Sequence, residues 1–232
     1  MKRSAILICL LVSSTASAHF KLNAPASRSQ QDGLGGPQKS APCGLSDDSA
    51  TADDSTPTNI VTPLMTGSMI TVSINETIFH PGHYRVAIAQ DIAGLPADPP
   101  VTAGGSPSTA CGSTIITASP TMPLLADGEL LHTSSFGAAT TKTFQVQLPP
   151  GFTCTNCVLQ VVQFMSNHVL NNPGGCFYHH CSVVTISDDA PAQPDAGATS
   201  GDDAGTPGDD DGVSGGCCST SNRVPSFELF AA

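Results

Sequence analysis

Residues Met69 to His80 read MITVSINETIFH, apolar and polar side chains alternating along a full strand, and this period of two constrains the fold more than any other feature of the chain. Val72, Ile74, Ile78 and His80 share one face with Glu76, while Thr71, Ser73, Asn75 and Thr77 share the other. The segment Pro81-Gly82-His83 turns the chain, and Tyr84 to Ala89 reads as the hairpin partner. Further strands are expected at Lys142 to Leu148, Val158 to Phe164 and Ser182 to Ile186. Helical periodicity is scarce, and 22 Gly and 19 Pro punctuate the chain. The expectation is therefore an all-β domain, a two-sheet sandwich of immunoglobulin or fibronectin type. The stretches Ala24 to Thr58 and Asp91 to Thr114 lack a regular pattern and are expected to be long, disulfide-pinned loops.

The chain divides into four parts. Residues 1–18 have the form of a secretory signal: Lys2 and Arg3, an apolar run from Ala5 to Val12, and a small-residue cleavage site, Ala16-Ser17-Ala18. Residues 19–186 form the domain and 187–216 an acidic Asp/Gly/Pro/Ala spacer without the means to bury apolar surface. Residues 217–232 carry Cys217 and Cys218 and resemble the opening of a bacterial C-terminal sorting signal without its membrane helix and basic end. No segment after the signal offers the roughly 20 apolar residues of a membrane span. The formal net charge is −11 and is concentrated in the spacer. A mildly acidic domain excludes nucleic acid as a partner, because phosphate contacts need a basic face. The domain keeps six cysteines, Cys43, Cys111, Cys154, Cys157, Cys176 and Cys181, an even number that suits disulfides in an exported chain. CTNC, Cys154 to Cys157, lacks the βαβ setting of a redox motif and reads as a structural staple. The expected protein is a monomer, secreted or held at the cell surface.

Seven histidines remain: His19, His80, His83, His132, His168, His179 and His180. Cleavage after Ala18 would make His19 the first residue, offering one metal ion both an α-amine and the ring Nδ1. The imidazole of His80 would complete a T-shaped set of three nitrogens. Tetragonal nitrogen sets suit Cu(II), whereas zinc more often takes a tetrahedral set with a fourth protein ligand. His83, three residues after His80, either lines such a site or is exposed. His132 and His168 have no supporting context in the sequence.

HFKLNAPASR at the start of the domain, ITVSINETIFHPGHYRVAI in its middle and GCFYHHCSVVTI near its end together resemble the lytic polysaccharide monooxygenases, secreted copper enzymes with a histidine brace. The resemblance runs in order through most of residues 19–186 and is narrower to a bacterial group described as polysaccharide-monooxygenase-like. It implies His19 and His80 as ligands of one copper ion, with Pro25, Ser27 and Arg28 matching a Pro-x-Ser-Arg element. Tyr178-His179-His180-Cys181 matches the Tyr-x-x-Cys of the fungal branch, which implies Tyr178 on the axial side of the copper. The Phe-Tyr pair of the bacterial branch selects Phe177 instead, and strand alternation permits only one of them. His180 shares the Tyr178 face and is the better near-copper candidate of the His179-His180 pair. The same match implies a disulfide from Cys181 to Cys43. Cys176 stands where the fungal motif has Gln; Glu76 either replaces that function by steering a bound oxygen species or is a strand-end surface carboxylate. Gln163 is a further candidate of the same kind.

The activity implied is oxidative cleavage of a glycosidic bond in a polysaccharide such as chitin or cellulose. Copper would be the cofactor, with hydrogen peroxide or O₂ as co-substrate and an external reductant. The chain has no Trp and only Tyr84 and Tyr178, so it lacks the aromatic platform that grips crystalline glycans. The alternatives are a non-catalytic histidine-brace protein that stores, senses or delivers copper, and a disulfide-stapled adhesion or structural sandwich without metal.

Overall fold

The computed structural model of the protein describes residues 19–45, 55–137 and 140–189; the signal, the acidic spacer beyond Asp189 and the C-terminal segment lie outside them. Ten strands form the described part. In chain order they are β1 (His19–Ala24), β2 (Val61–Met65), β3 (Met69–Ile78), β4 (Gly82–Ala89), β5 (Val101–Ala103), β6 (Cys111–Thr114), β7 (Leu124–His132), β8 (Thr141–Gln147), β9 (Cys154–Met165) and β10 (Phe177–Ser187). One sheet has the order β1-β3-β8 and the other β2-β10-β9-β4-β7, while β5 and β6 make a small separate ribbon. Two single 3₁₀ turns, Ile92–Gly94 and Pro107–Thr109, interrupt the long loop between β4 and β6. Among the described residues no helix is long and apolar enough to cross a membrane.

The alternation in Met69–Ile78 produces the fold directly. Ile70, Val72 and Ile74 enter the space between the sheets, joined by Phe20 and Leu22 of β1 and by Phe144 and Val146 of β8. The larger sheet meets them with Tyr84, Val86 and Ile88 of β4, Leu159 and Val161 of β9, and Tyr178, Val184 and Ile186 of β10. Each side chain so buried contributes about 1.5–3 kcal/mol, which makes this layer the main stabilising term. The expected strands are present, and β9 and β10 run several residues further than their apolar cores suggested. Ser187, assigned to the spacer, is the last residue of β10 and pairs with Met65 of β2.

The outer face of the larger sheet is also covered, so every residue of β4 is buried. Val162, Phe164 and Phe177 pack there with Cys111 and Cys176. Disulfides join Cys43 to Cys181, Cys111 to Cys176 and Cys154 to Cys157. The first fastens the loop after β1 to β10, and the second fastens the loop around β6 to the residue before β10.

The first disulfide spans a sequence separation of 138 residues and the third only 3. In the chain-entropy account the long loop restrains the unfolded chain far more. Replacing Cys43 and Cys181 together by Ala is expected to cost about 2–5 kcal/mol, and the same change at Cys154 and Cys157 clearly less. Urea unfolding of the two double variants checks this; equal losses would show that loop length does not set the contribution.

Candidate metal centre

His19 opens β1 opposite Ile78 of β3, and the register shifts between His19 and Phe20. Its neighbour Phe20 is gripped on both main-chain groups. The Phe20 amide donates to Gln38 Oε1 at 3.2 Å, and its carbonyl lies 3.0 Å from His180 Nε2. The rings of Phe20 and His180 meet edge-on, with centroids 4.7 Å apart. Gly35 lies flat against the same peptide: its φ is +107°, and a Cβ there would come within 2.0 Å of the Phe20 carbonyl oxygen. Asp32 holds that loop with one oxygen, Oδ1, which accepts from the amides of Leu34, Gly35 and Gly36 at 2.7–2.8 Å. The strand end carrying His19 is thus fixed by contacts to its own backbone.

His80 follows β3, and its ring stands edge-on to that of His168 with centroids 4.5 Å apart. Burial first, then the positive fields of His168 and His19, push the His80 imidazole down to about 4. His80 is therefore neutral at neutral pH and keeps a lone pair. Its Nε2 is buried and makes no hydrogen bond among the described residues. Tyr178, at the start of β10, stacks on His19 with centroids 5.2 Å apart and planes 24° from parallel. The Tyr178 hydroxyl donates to Asn171 Oδ1 at 3.3 Å.

Glu76 continues the inward series Val72, Ile74, Glu76 and is 2% exposed, so its carboxylate is no surface group. Oε1 receives Gln163 Nε2 at 3.1 Å and faces His132 Nε2 at 2.9 Å, with the His80 amide at 3.5 Å. The other ring nitrogen of His132 lies 2.8 Å from the Leu130 carbonyl oxygen. Both ring nitrogens of His132 thus face oxygen acceptors, an arrangement that favours the protonated ring. Burial alone would push His132 down; the Glu76 hydrogen bond, then the Leu130 carbonyl and the Glu76 charge, outweigh it and raise the group above its ordinary 6.5. Phe136 stacks on His132 at 4.1 Å. Tyr84 lies across from Gln163 on the adjoining strand, and burial, then Glu76, raise its hydroxyl well above the ordinary range.

The structure therefore brings together His19, His80, Tyr178, Glu76 and Gln163, with His180 behind the main chain next to His19. It adds His168 and His132, which sequence reasoning left without a role because each reaches the centre from a different part of the chain. His83 is a correction to both of its readings. It is buried, yet it faces away from the centre, toward Phe164 at 5.3 Å and with Nε2 3.5 Å from Asp127 Oδ1. Alternation along β4 turns Tyr84 inward and His83 outward. Phe177 is a second correction, packed on the outer face against Phe164, while Tyr178 lies against His19. Cys43, Cys111, Cys154, Cys157, Cys176 and Cys181 are all engaged in disulfides.

Among the described residues no three His, Cys, Asp or Glu side chains are arranged to hold a metal ion. The donors on offer are two imidazoles, and a third nitrogen would have to come from the main chain. That set fits a metal with few protein ligands, and the bare Nε2 of buried His80 is the observation in its favour.

The titrations give a check with a definite sign. His80 resists protonation in the fold, so its contribution to stability is lost as pH falls from about 6.5 toward 4. His132 behaves oppositely: its contribution is full below about 6.5 and fades as pH rises through its raised value. In the metal-free protein, ring-proton NMR should find His80 titrating near 4 and His132 above 6.5. His80 titrating at its ordinary value would place its ring in solvent.

No family model matches this chain. No curated protein matches it. Among solved structures it is similar to a lytic polysaccharide monooxygenase AA15 from Thermobia domestica in the Cu(I) state, at 20% sequence identity, over 74% of this chain and 100% of that one, with a TM-score of 0.44.

Proposed function

We propose that the chain is exported, is cleaved to begin at His19, and acts as a copper-dependent, polysaccharide-monooxygenase-like protein. One observation carries the reading: His80 Nε2 is buried, lacks a hydrogen-bond partner among the described residues, and belongs to a ring held neutral beside His19. A buried imidazole nitrogen with a lone pair and no donor is costly unless a cation or an ordered water uses it. His19 and His80 would hold the ion, with the amine freed by cleavage as the third nitrogen, a donor set suited to Cu(II). Bound copper would supply one-electron chemistry with hydrogen peroxide or O₂ and an external reductant, directed at a glycosidic carbon of a polysaccharide.

The remaining residues have tasks of their own. Tyr178 covers the ring of His19 and excludes water from that side, its hydroxyl tied back to Asn171. His180 fixes the carbonyl of Phe20 and with it the main chain that carries the first ligand. Glu76 holds the His80 amide and, through His132, keeps a proton next to the centre, while Gln163 orients the carboxylate.

A second reading has its own support. The chain has no Trp, and both tyrosines are fully buried, so no aromatic ring of either kind is available to stack on a sugar. A protein that stores, senses or delivers copper with the same ligands needs no such surface.

Cu(II) EPR on a preparation beginning at His19 and on one with an extra preceding residue tests the centre. The expected result is a tight, nitrogen-rich axial signal in the first, lost in the second. His80→Ala should weaken binding by more than the roughly 10–100-fold that a supporting residue costs. Weak binding, identical in all three, would sink the copper centre. Peroxide-driven release of oxidised fragments from chitin or cellulose by the loaded wild type, absent in His80→Ala, separates the enzyme from the copper carrier.

A further inference from the structure

We infer that a second pocket, on the opposite face of β10 from the histidine cluster, binds a small organic cation: an ammonium group carried on an apolar body. This inference is independent of any metal at His19 and His80.

The pocket measures ≈ 490 Å³, within the range of sites for small ligands, about 300–1,000 Å³. Its lining includes Val101, Leu170, Pro173, Cys176 and Phe177, and Asp98 places a carboxylate among these apolar groups. Alternation along β10 builds the site: Phe177 and His179 face this side, while Tyr178 and His180 face His19 and Phe20. The Cys111–Cys176 disulfide holds the wall in place.

Asp98 is backed by a buried imidazole. His179 is fully buried, and its Nε2 lies 3.0 and 3.1 Å from the two Asp98 oxygens. Its Nδ1 is buried and makes no hydrogen bond among the described residues. The ring nitrogen that faces Asp98 is Nε2, so His179 holds the carboxylate in place from behind by hydrogen bonding. His179 occupies one side of Asp98, whose side chain is 27% accessible and lines the pocket. A neutral apolar ligand would partly desolvate that carboxylate and offer it no donor, and an anion would be repelled; an ammonium both donates to it and fills the apolar volume.

Calorimetric titration of the full chain with benzylamine, benzyl alcohol and benzoate tests the inference, since the three share a ring and differ in charge. Benzylamine should bind saturably at one site, about tenfold or more tighter than the alcohol, a difference of about 1.4 kcal/mol. Benzoate should not bind. Asp98→Asn preserves an oxygen facing His179 and should erase the preference of amine over alcohol; the acidic spacer, untouched by this change, serves as the control for diffuse attraction. Leu170 is 59% exposed at the rim, so Leu170→Lys leaves the core intact and should weaken the amine by a similar factor. Absence of saturable amine binding, equal affinity for amine and alcohol, or a preference that survives both substitutions would overturn the assignment.

Discussion

The arrangement of the centre depends on one buried carboxylate. Glu76 occupies a position at which the alternation of β3 calls for an apolar side chain, at the end of the series Val72 and Ile74. A carboxylate there costs several kcal/mol unless its lone pairs are used. His132 from the end of β7, Gln163 from β9 and the main chain of His80 converge on Oε1 for this reason. The loop after β3 is thereby tied to the larger sheet, and His80 is carried with it. The position of the second histidine thus follows from satisfying a charge inside the sandwich.

The position of the first histidine follows from β10. Tyr178 stacks on His19, His180 reaches the Phe20 carbonyl, and Ser182 donates to the Pro25 carbonyl at 2.9 Å. The opposite face of the same strand carries Phe177, His179 and Cys181, the last bonded to Cys43. The Cys111–Cys176 disulfide, together with the Cys111 amide bonded to the His168 carbonyl at 2.9 Å, ties the His168 loop to the same region. A slip of one residue in the pairing of β10 with β9 would exchange the two faces and remove Tyr178, His180 and His179 from their partners together. The disulfides at Cys176 and Cys181 bracket this segment and oppose such a slip.

Much of this was legible in the sequence because strands of period two declare which side chains share a face. Glu76 was placed on the His80 face by counting alone, and Tyr178 and Phe177 were known to be mutually exclusive. Counting did not say whether a face meets solvent. His83 is expected to be exposed or to line the centre, yet on the outer face of β4 it packs against Phe164 and Asp127 of the flanking strands, so an outward residue is buried too. β7 escaped detection because its alternation is broken: Leu130 and Gly128 both have positive φ, and its register with β4 shifts repeatedly. His132 sits at the end of this irregular strand and His168 in a loop, so no local pattern marked either. Their importance comes from tertiary convergence, which spacing along a chain does not record.

The polar groups buried at this end of the sandwich are not fully satisfied. Glu76 Oε2, Gln163 Oε1 and the Tyr84 hydroxyl are buried without a hydrogen-bond partner among the described residues. Tyr84 is held neutral by burial and by the charge of Glu76, so it can only offer a proton to an acceptor or receive a hydrogen bond. These groups lie on facing and adjoining strands, and a water needs two to four such partners to be retained inside a protein. At the other end of β3, Ile70, Val72, Phe144 and Val146 belong to the continuous apolar core. A chain under selection for stability alone would make both ends apolar. Unmet hydrogen-bonding capacity gathers around Glu76 and His80, where a bound ion and its solvent would use it, although Arg85 and His179 also carry such atoms elsewhere among the described residues. The apolar half of the sandwich supplies the stability that allows the polar half to remain unsaturated.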